Sequence, residues 1–479
     1  MEQSSFSNGS GIPPIRRKPL LAVLLMPLFM ALIAVSVINV ALPAIESSLH
    51  AGSEALQWVL SGYALSFGLL LVPAGRLGDA TGRRRILIIG IAFFTIGSLL
   101  AGLAPSILVL NLARLLQGIG SGLLNPQTVG LIQQHFRGQS RARAFAALGT
   151  TVAVATALGP VIGGLLIQIL GPGTGWRWMF YMNIPIGILA IFGALKYVPD
   201  DRVRRTGRAD LDPVGAGLLA VAILLVMMPF LERGAGALLW MCIPAGLLVL
   251  GGWWAWEERY KARKRAPMVD PAILTNQAFR NGMAIVAIYF LGATSIWIVV
   301  PLYLQLHLGH SAFQASLMGL PSSIAAAFAS QIAGRYVLRF GRRLVIAGFV
   351  VAIIGLIGTV LASLPVESRT APFWIMSIPL TLIGVSQGMT ISPNQTLTLN
   401  SVDPRYGGVA GGILQLGQRI GAAIGTAMIP GILFGLTEGG TQWNEAFIIV
   451  MAIIVALAVA ALGLSVIDRQ REKATFRDE

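Results

Sequence analysis

The 479-residue chain is 55% hydrophobic and 11% charged, with a mean hydropathy of +0.75, against roughly 25% charged in an ordinary soluble domain. One globular core of this length cannot hide so much apolar surface, so lipid must be the solvent for much of the chain. A net charge of +15 would suggest nucleic acid in a soluble domain. Here the basic residues sit in short clusters between apolar runs, and no nucleic-acid partner is expected. The lone Cys242 excludes an intrachain disulfide or a cysteine-based metal site.

Along the chain, Arg16, Arg17 and Lys18 precede an apolar run from Leu20 to Ala44, too long for the core of a secretory signal, which reads as a retained first span. Runs near the roughly 20 apolar residues that cross the hydrocarbon follow at 58–76, 86–105, 108–132, 144–170, 178–198, 213–231, 237–256, 281–303, 313–335, 344–364, 372–395, 408–434 and 446–467. That makes fourteen. With the N-terminus inside, 30 of the 35 Lys and Arg residues fall on the cytoplasmic side; Arg177, Arg233 and Arg369 fall outside, and Arg114 and Arg419 lie within spans. This asymmetry predicts cytoplasmic termini. Polar stretches at 199–212 (Arg202, Arg204, Arg205, Arg208) and 257–280 (Arg259, Lys261, Arg263, Lys264, Arg265) bracket spans seven and eight. The expected organisation is a tail (1–19), a six-helix bundle (20–198), a two-helix insert with cytoplasmic linkers (199–280), a second six-helix bundle (281–467) and a tail (468–479).

Span two is followed by GRLGDATGRRR (75–85) and span ten by GRYVLRFGRR (334–343), one skeleton at the matching place in each half. Gly75 and Gly82 permit close helix approach and a tight turn. Asp79, among Arg83 and Arg84, can pair with an arginine or face a helix N-terminus across the half-to-half interface and so latch one of two conformations. Leu338 stands at the Asp79 position of the second copy, which predicts a strong latch in the first half and a degenerate one in the second. In span four, LNLARLLQGIGSG (110–122) sets Arg114, Gly118 and Ser121, with Asn125 beyond, on one helix face. An arginine within a span marks a functional site unless it snorkels, and Arg114 is about two turns from the outer end. In span five, GTTVAVATALGPVIGG (149–164) places Gly149, Ala153, Ala157, Pro160 and Gly164 at small-residue spacing that suits close helix packing, with Pro160 bending the helix.

These motifs, with NVALPAI (39–45), WRWMFYMNIPIG (176–187), PLYLQLHLGHSAFQASLMGLP (301–321) and GGILQLGQRIGAAIG (411–425), resemble the major facilitator superfamily, and within it the fourteen-span drug:proton antiporter branch (EmrB/QacA type), over about residues 20–467. The resemblance implies an all-α membrane protein with the major facilitator fold: two six-helix bundles plus two additional transmembrane helices. It implies a latch loop at Gly75, Asp79, Gly82, Arg83 and Arg84, a proton-coupling role for Arg114, and an antiporter-type motif at Gly159, Pro160, Gly163 and Gly164 that favours export. In span thirteen Gln418 precedes Arg419, the reverse of the branch's usual order. One position turns a side chain by about 100°, so Arg419 is expected to point elsewhere than the family's arginine. The aspartate that the family often has nine residues before the proline of NVALP is replaced by Ala34.

None of the 20 acidic residues is expected near the middle of a span: Asp79 falls in a loop, Glu46, Glu54, Glu232, Glu367, Glu438 and Glu445 at outer ends, and the rest in cytoplasmic segments. His50, His135, His307 and His310 fall in or near loops. The polar groups left for a central coupling or substrate cavity are Ser36, Asn39, Tyr63, Ser66, Gln117, Asn125, Gln127, Tyr289 and Trp297, with Arg114, Gln418 and Arg419. A cavity without a buried carboxylate suits neutral, zwitterionic or anionic amphipathic compounds better than dications. No phosphate-binding loop is present, so the expected energy source is the proton gradient, with no cofactor. No convergent catalytic constellation is visible, and no enzyme is expected. The reading is a monomeric secondary transporter of a bacterial cytoplasmic membrane that exports small amphipathic molecules by alternating access; the alternative is a dedicated exporter or importer of one endogenous metabolite or lipid.

Overall fold

The computed structural model describes residues 17–200, 210–231 and 237–475. Arg16, Arg202, Arg204, Arg205, Arg208, Glu232 and Arg233, and the side chain of Asn39, lie outside the described set. The described residues form helices and no strand. The first half holds α1 (Arg17–Leu49), α2 (Ser53–Thr81), α3 (Arg83–Leu103), α4 (Ile107–His135), α5 (Gly138–Leu170), α6 (Pro172–Tyr181) and α7 (Asn183–Tyr197). α8 (Pro213–Leu231) and α9 (Cys242–Ala262) form a hairpin, and α10 (Pro271–Thr275) leads into the second half. That half holds α11 (Gln277–Leu302), α12 (Ala312–Leu317), α13 (Leu320–Phe340), α14 (Arg342–Glu367), α15 (Ser377–Asn400), α16 (Gly407–Glu438) and α17 (Trp443–Thr475).

Thirteen segments among the described residues are long and apolar enough to cross a membrane. α6 and α7 together make one of them; the chain breaks at Met182, just before Pro185, which has no amide to continue the ladder. α13 has the length, at 21 residues, but carries Ser322, Ser323, Ser330, Gln331, Arg335 and Arg339 and is not among the thirteen. Large apolar side chains such as Leu108, Ile169, Phe192, Phe328 and Ile378 stand exposed around the bundle, as lipid-facing residues do.

The halves repeat one packing scheme. α4 packs on α2 and α3 as α15 packs on α13 and α14; α1 packs on α5 and α7 as α11 packs on α16 and α17. They meet along two seams, α2 against α16 and α5 against α13. α8 contacts both α2 and α16 and so lies over the first seam. Met227 fills the space that Gly68 leaves there, its sulfur 3.3 Å from where a Cβ would stand.

Three helices run further than the hydropathy runs suggest. Asp79 is in the last turn of α2, not in a loop; Glu257 and Glu258 are inside α9, not in a linker; Asp468 is inside α17, not in a tail. Charged residues end an apolar run without ending a helix: Asp79 and Asp468 find arginine partners, and Glu258 takes the Trp254 indole. The first true turn is Gly82 alone, at φ 110°, and its counterpart is Gly341, at φ 53°, conformations that glycine adopts without a Cβ penalty. The face that carries these turns is called the basic face below.

Candidate transport site

On the basic face the GRLGDATGRRR segment joins the two halves. Gly75 touches α16 so closely that a Cβ would stand 2.5 Å from the Gly408 carbonyl oxygen. One turn later the Asp79 carboxylate accepts hydrogen bonds from the Gly408 and Val409 amides, at 3.1 and 3.0 Å. These are first-turn amides of α16, which have no partner within their own helix and carry the positive end of its dipole. Arg83 holds the same carboxylate at 2.7 Å and donates to Gly130 O, Gln134 Oε1 and, across the seam, Pro404 O. Arg84 turns away from the seam and donates to Leu195 O within its own half. Gln133 and Arg141 extend the closure, donating to Leu399 O and Asn400 Oδ1. Beside it, the Asp403 carboxyl is held below the usual carboxylate range by hydrogen bonds from the Arg405 side chain and amide.

Deeper in the bundle Arg114 is 1% exposed and does not snorkel. Its Nε donates to Val59 O on α2, a terminal nitrogen donates to Gln117 Oε1, and the guanidinium lies 4.3 Å over the Tyr63 ring. Gln117 passes the chain on to Ser98, and Tyr63 pairs with Ser121 at 2.7 Å. Asn125 and Ser66 bond to backbone carbonyls, and Gln127 bonds to Ala74 O while its Oε1 is left unpartnered.

Arg419, twelve residues into α16 or about 18 Å along its axis at roughly 1.5 Å per residue, reaches α2 and lies 4.6 Å over the Phe67 ring. The Gln418–Arg419 order therefore does not carry the guanidinium away from the seam: Gly412 lets α16 approach the Leu71 carbonyl closely, and the long side chain covers the rest. Tyr63 and Phe67 thus sit one turn apart on α2 with a guanidinium over each. Neither arginine has a carboxylate partner among the described residues. Gln418 is half-buried beside it.

Other expected site residues separate. Ser36 donates to Thr156 O, fastening α1 to α5. Tyr289 packs edge-on to Phe349 inside the second half, and Trp297 is half-buried on the same helix. Gly159 and Gly163 face Ser36 and Val37 of α1, Pro160 is half-buried, and Gly164 meets nothing within 4 Å. The small residues of α5 therefore serve two neighbours, with Gly149 against Ser330 of α13, and Gly164 belongs to neither contact.

Three groups were not singled out from the sequence. Arg76, beside Gly75, donates to Asp210 O and Ala266 O, tying α2 to both linkers of the insert. Asp212 and Glu257 are fully buried at the base of the α8–α9 hairpin. Their signal is slight: an acid just before Pro213, and an acid four residues from Trp253, the indole that packs into the core.

The family profile described as Major Facilitator Superfamily matches residues 24–426 and 282–479. A relative named "Probable actinorhodin transporter" from Streptomyces coelicolor is 33% identical over 417 residues, 86% of this chain and 72% of that protein. "Multidrug resistance protein Stp" from Mycobacterium tuberculosis is 30% identical over 405 residues, 82% of this chain and 72% of that protein. The crystal structure of the human organic anion transporter MFSD10 superposes with a TM-score of 0.67 over 94% of this chain and all of that one, at 14% identity, which speaks for the fold alone. With its helices, its duplicated halves and these matches, the chain belongs to the major facilitator superfamily: it is an integral membrane transporter of small molecules and not an enzyme.

Proposed function

We propose that this protein is a proton-coupled exporter of small amphipathic compounds, working by alternating access in a bacterial cytoplasmic membrane with its basic face and both termini in the cytoplasm. The observation that carries the reading is Asp79, a buried carboxylate that seals the basic face by capping α16 across the seam. Such a bond forms in one conformation and breaks in the other, as an alternating-access switch requires. Relatives whose names include "Drug efflux pump JefA" and "Cephamycin export protein CmcT" support export as the direction of transport. We count α13 as the fourteenth span, because it packs between α5 and α15 as α2 packs between α16 and α4; the packing supports membership of the fourteen-span drug:proton antiporter branch. Arg114 and Arg419, balanced by aromatic rings and neutral groups, favour neutral, zwitterionic or anionic substrates. The protein works as a monomer, needs no cofactor and binds no nucleic acid.

The test is a panel of toxic compounds on cells carrying empty vector, wild type or Asp79→Asn at equal expression. Wild type raises tolerance to several compounds, and the variant loses most of that gain. Equal growth of wild type and vector across the panel would end the multidrug reading. A second reading is a dedicated exporter of one endogenous metabolite, favoured by the relative named for actinorhodin; tolerance to a single compound class would select it.

A further inference from the structure

The helix pair between the halves has at its base a carboxyl pair that the latch and the cavity do not use. Asp212 ends the linker into α8 and adopts a left-handed backbone, φ 42°. Its Oδ1 accepts the Gly215 amide at 3.0 Å and the Trp256 indole at 3.0 Å. Glu257, on α9, is fully buried, and neither of its oxygens has a hydrogen-bond partner. Asp212 Oδ2 and Glu257 Oε1 lie 2.3 and 2.8 Å from one point, the place where a Cβ on Gly215 would stand, so the two carboxyls are near neighbours. The Trp253 indole, 5% exposed, also has an N–H outside hydrogen-bond geometry; with the Met268 and Val269 amides it faces the Glu257 carboxyl.

The other charged and titratable groups around this pair are already engaged. Asp210 accepts from Tyr260 at 2.6 Å and from the Ala266 amide. Arg265 lies over the Tyr260 ring, Lys261 pairs with Asp270, and Glu258 takes the Trp254 indole. From α2, Arg76 donates one terminal nitrogen to the Asp210 and Ala266 carbonyls, while its Nε has no partner, and Asp79 is held by Arg83 and α16. α8 brings Gly215 and no charge. Among the described residues no cation pairs with Glu257. Two buried carboxylates side by side are far costlier as two charges than as a pair sharing one proton, which turns an unmet acceptor into a hydrogen-bond donor. No third ligating group joins them among the described residues, and two carboxyls are too few for a divalent cation of the usual oxygen coordination.

We propose that Asp212 and Glu257 are the proton-binding site of this transporter, and that the additional helices carry it. This rests on the proton-coupled reading above. The site touches the moving parts directly: Arg76 ties α2 to the residue two before Asp212 and to the linker after α9, while Gly75 beside it contacts α16. Charging or neutralising the pair acts on the α2 segment that also holds Asp79.

The test is infrared difference spectroscopy of the purified full-length protein in lipid, titrated with acid in potassium and in sodium buffer, for wild type, Glu257→Gln, Asp212→Asn and Asp79→Asn. Wild type shows a protonated-carboxyl C=O band that titrates in both salts. The band is lost in Glu257→Gln, moves to lower pH in Asp212→Asn, where the neighbouring charge is gone, and persists in Asp79→Asn. Persistence in Glu257→Gln, or loss of the band in sodium alone, would overturn the assignment; thermal unfolding of each variant excludes misfolding as the cause. Proton release in proteoliposomes, driven by the compound that wild-type cells resist best, then separates the two readings. If wild type releases no protons, proton coupling fails; if wild type and Glu257→Gln release them equally, only the site fails.

Discussion

Gly82 and Gly341 each turn the chain from one helix into the next at positive φ, yet the arginine that follows each finds different company. Arg83 reaches across the seam: it holds Asp79, which caps α16, and donates to the Pro404 carbonyl of the other half. Arg342 stays at home, paired with Asp468 of α17 and bonded to Asn394 of α15. Where the first copy has Asp79 the second has Leu338, 42% exposed, and the neutral amide of Gln139 bridges that seam by donating to the Gly334 and Arg335 carbonyls. Duplication preserved the turn and the close approach. Only one copy became a charged lock; the other became an internal brace.

The largest expected contrast is between the arginines. Arg83→Ala leaves the buried Asp79 charge without its partner, a cost of about 3–5 kcal/mol borne only when the basic face is closed, so transport in cells falls by two orders of magnitude or more (about 1.4 kcal/mol per tenfold). Arg342→Ala strands Asp468 within one half; the expected effect is a fall in the unfolding temperature of a few degrees with transport per folded molecule largely kept. The opposite pattern breaks the comparison. Next in size is the pair Gly75→Ala and Gly334→Ala. The new Cβ would stand 2.5 Å from a backbone oxygen in the first and 2.2 Å from the Ala146 Cβ in the second, so each pries its seam open. Alkylation of a cysteine placed at Val409 rises for Gly75→Ala, with about a tenfold loss of transport. If Gly334→Ala costs as much, then close approach rather than charge is what the copies share.

A smaller effect is expected from Leu338→Asp, which restores the missing carboxylate on an exposed side chain. Its interaction is worth less than about 1 kcal/mol, so transport rates change by about twofold or less. The smallest is the pH response of the connection before α16. Asp403 is held down by Arg405, so its contribution is fully present above the unfolded value of about 3.9 and is lost only as pH falls through the lower folded value. Seam accessibility in Asp403→Asn and wild type therefore runs parallel between pH 5 and 8. Divergence in that window would mean that the loop itself senses protons.

The spans were legible because lipid leaves a coarse mark, and the 75–85 segment stood out because its glycines and charges keep a fixed spacing. The places of Asp79, Glu257 and Asp468 were not. Each follows an apolar run, and sequence gives the end of the run but not the end of the helix. What buries Glu257 is the return of α9 against the 210–212 and 268–269 segments, a tertiary fact that no local pattern records. The reach of Arg419 to α2 was not legible for a related reason. Helical phase sets where a Cβ points, whereas a guanidinium on a long stem beside a close glycine contact can still reach Phe67.

The position of α8 gives the molecule two unlike flanks. On one, the groove between the halves lies behind α8, with Met227 seated against Gly68. On the other, α5 and α13 meet with no further described helix over them, and Leu158, Val161, Ile324 and Phe328 stand uncovered. A lipid travelling round the bundle would meet α8 on the first side and the closed α5–α13 seam itself on the second.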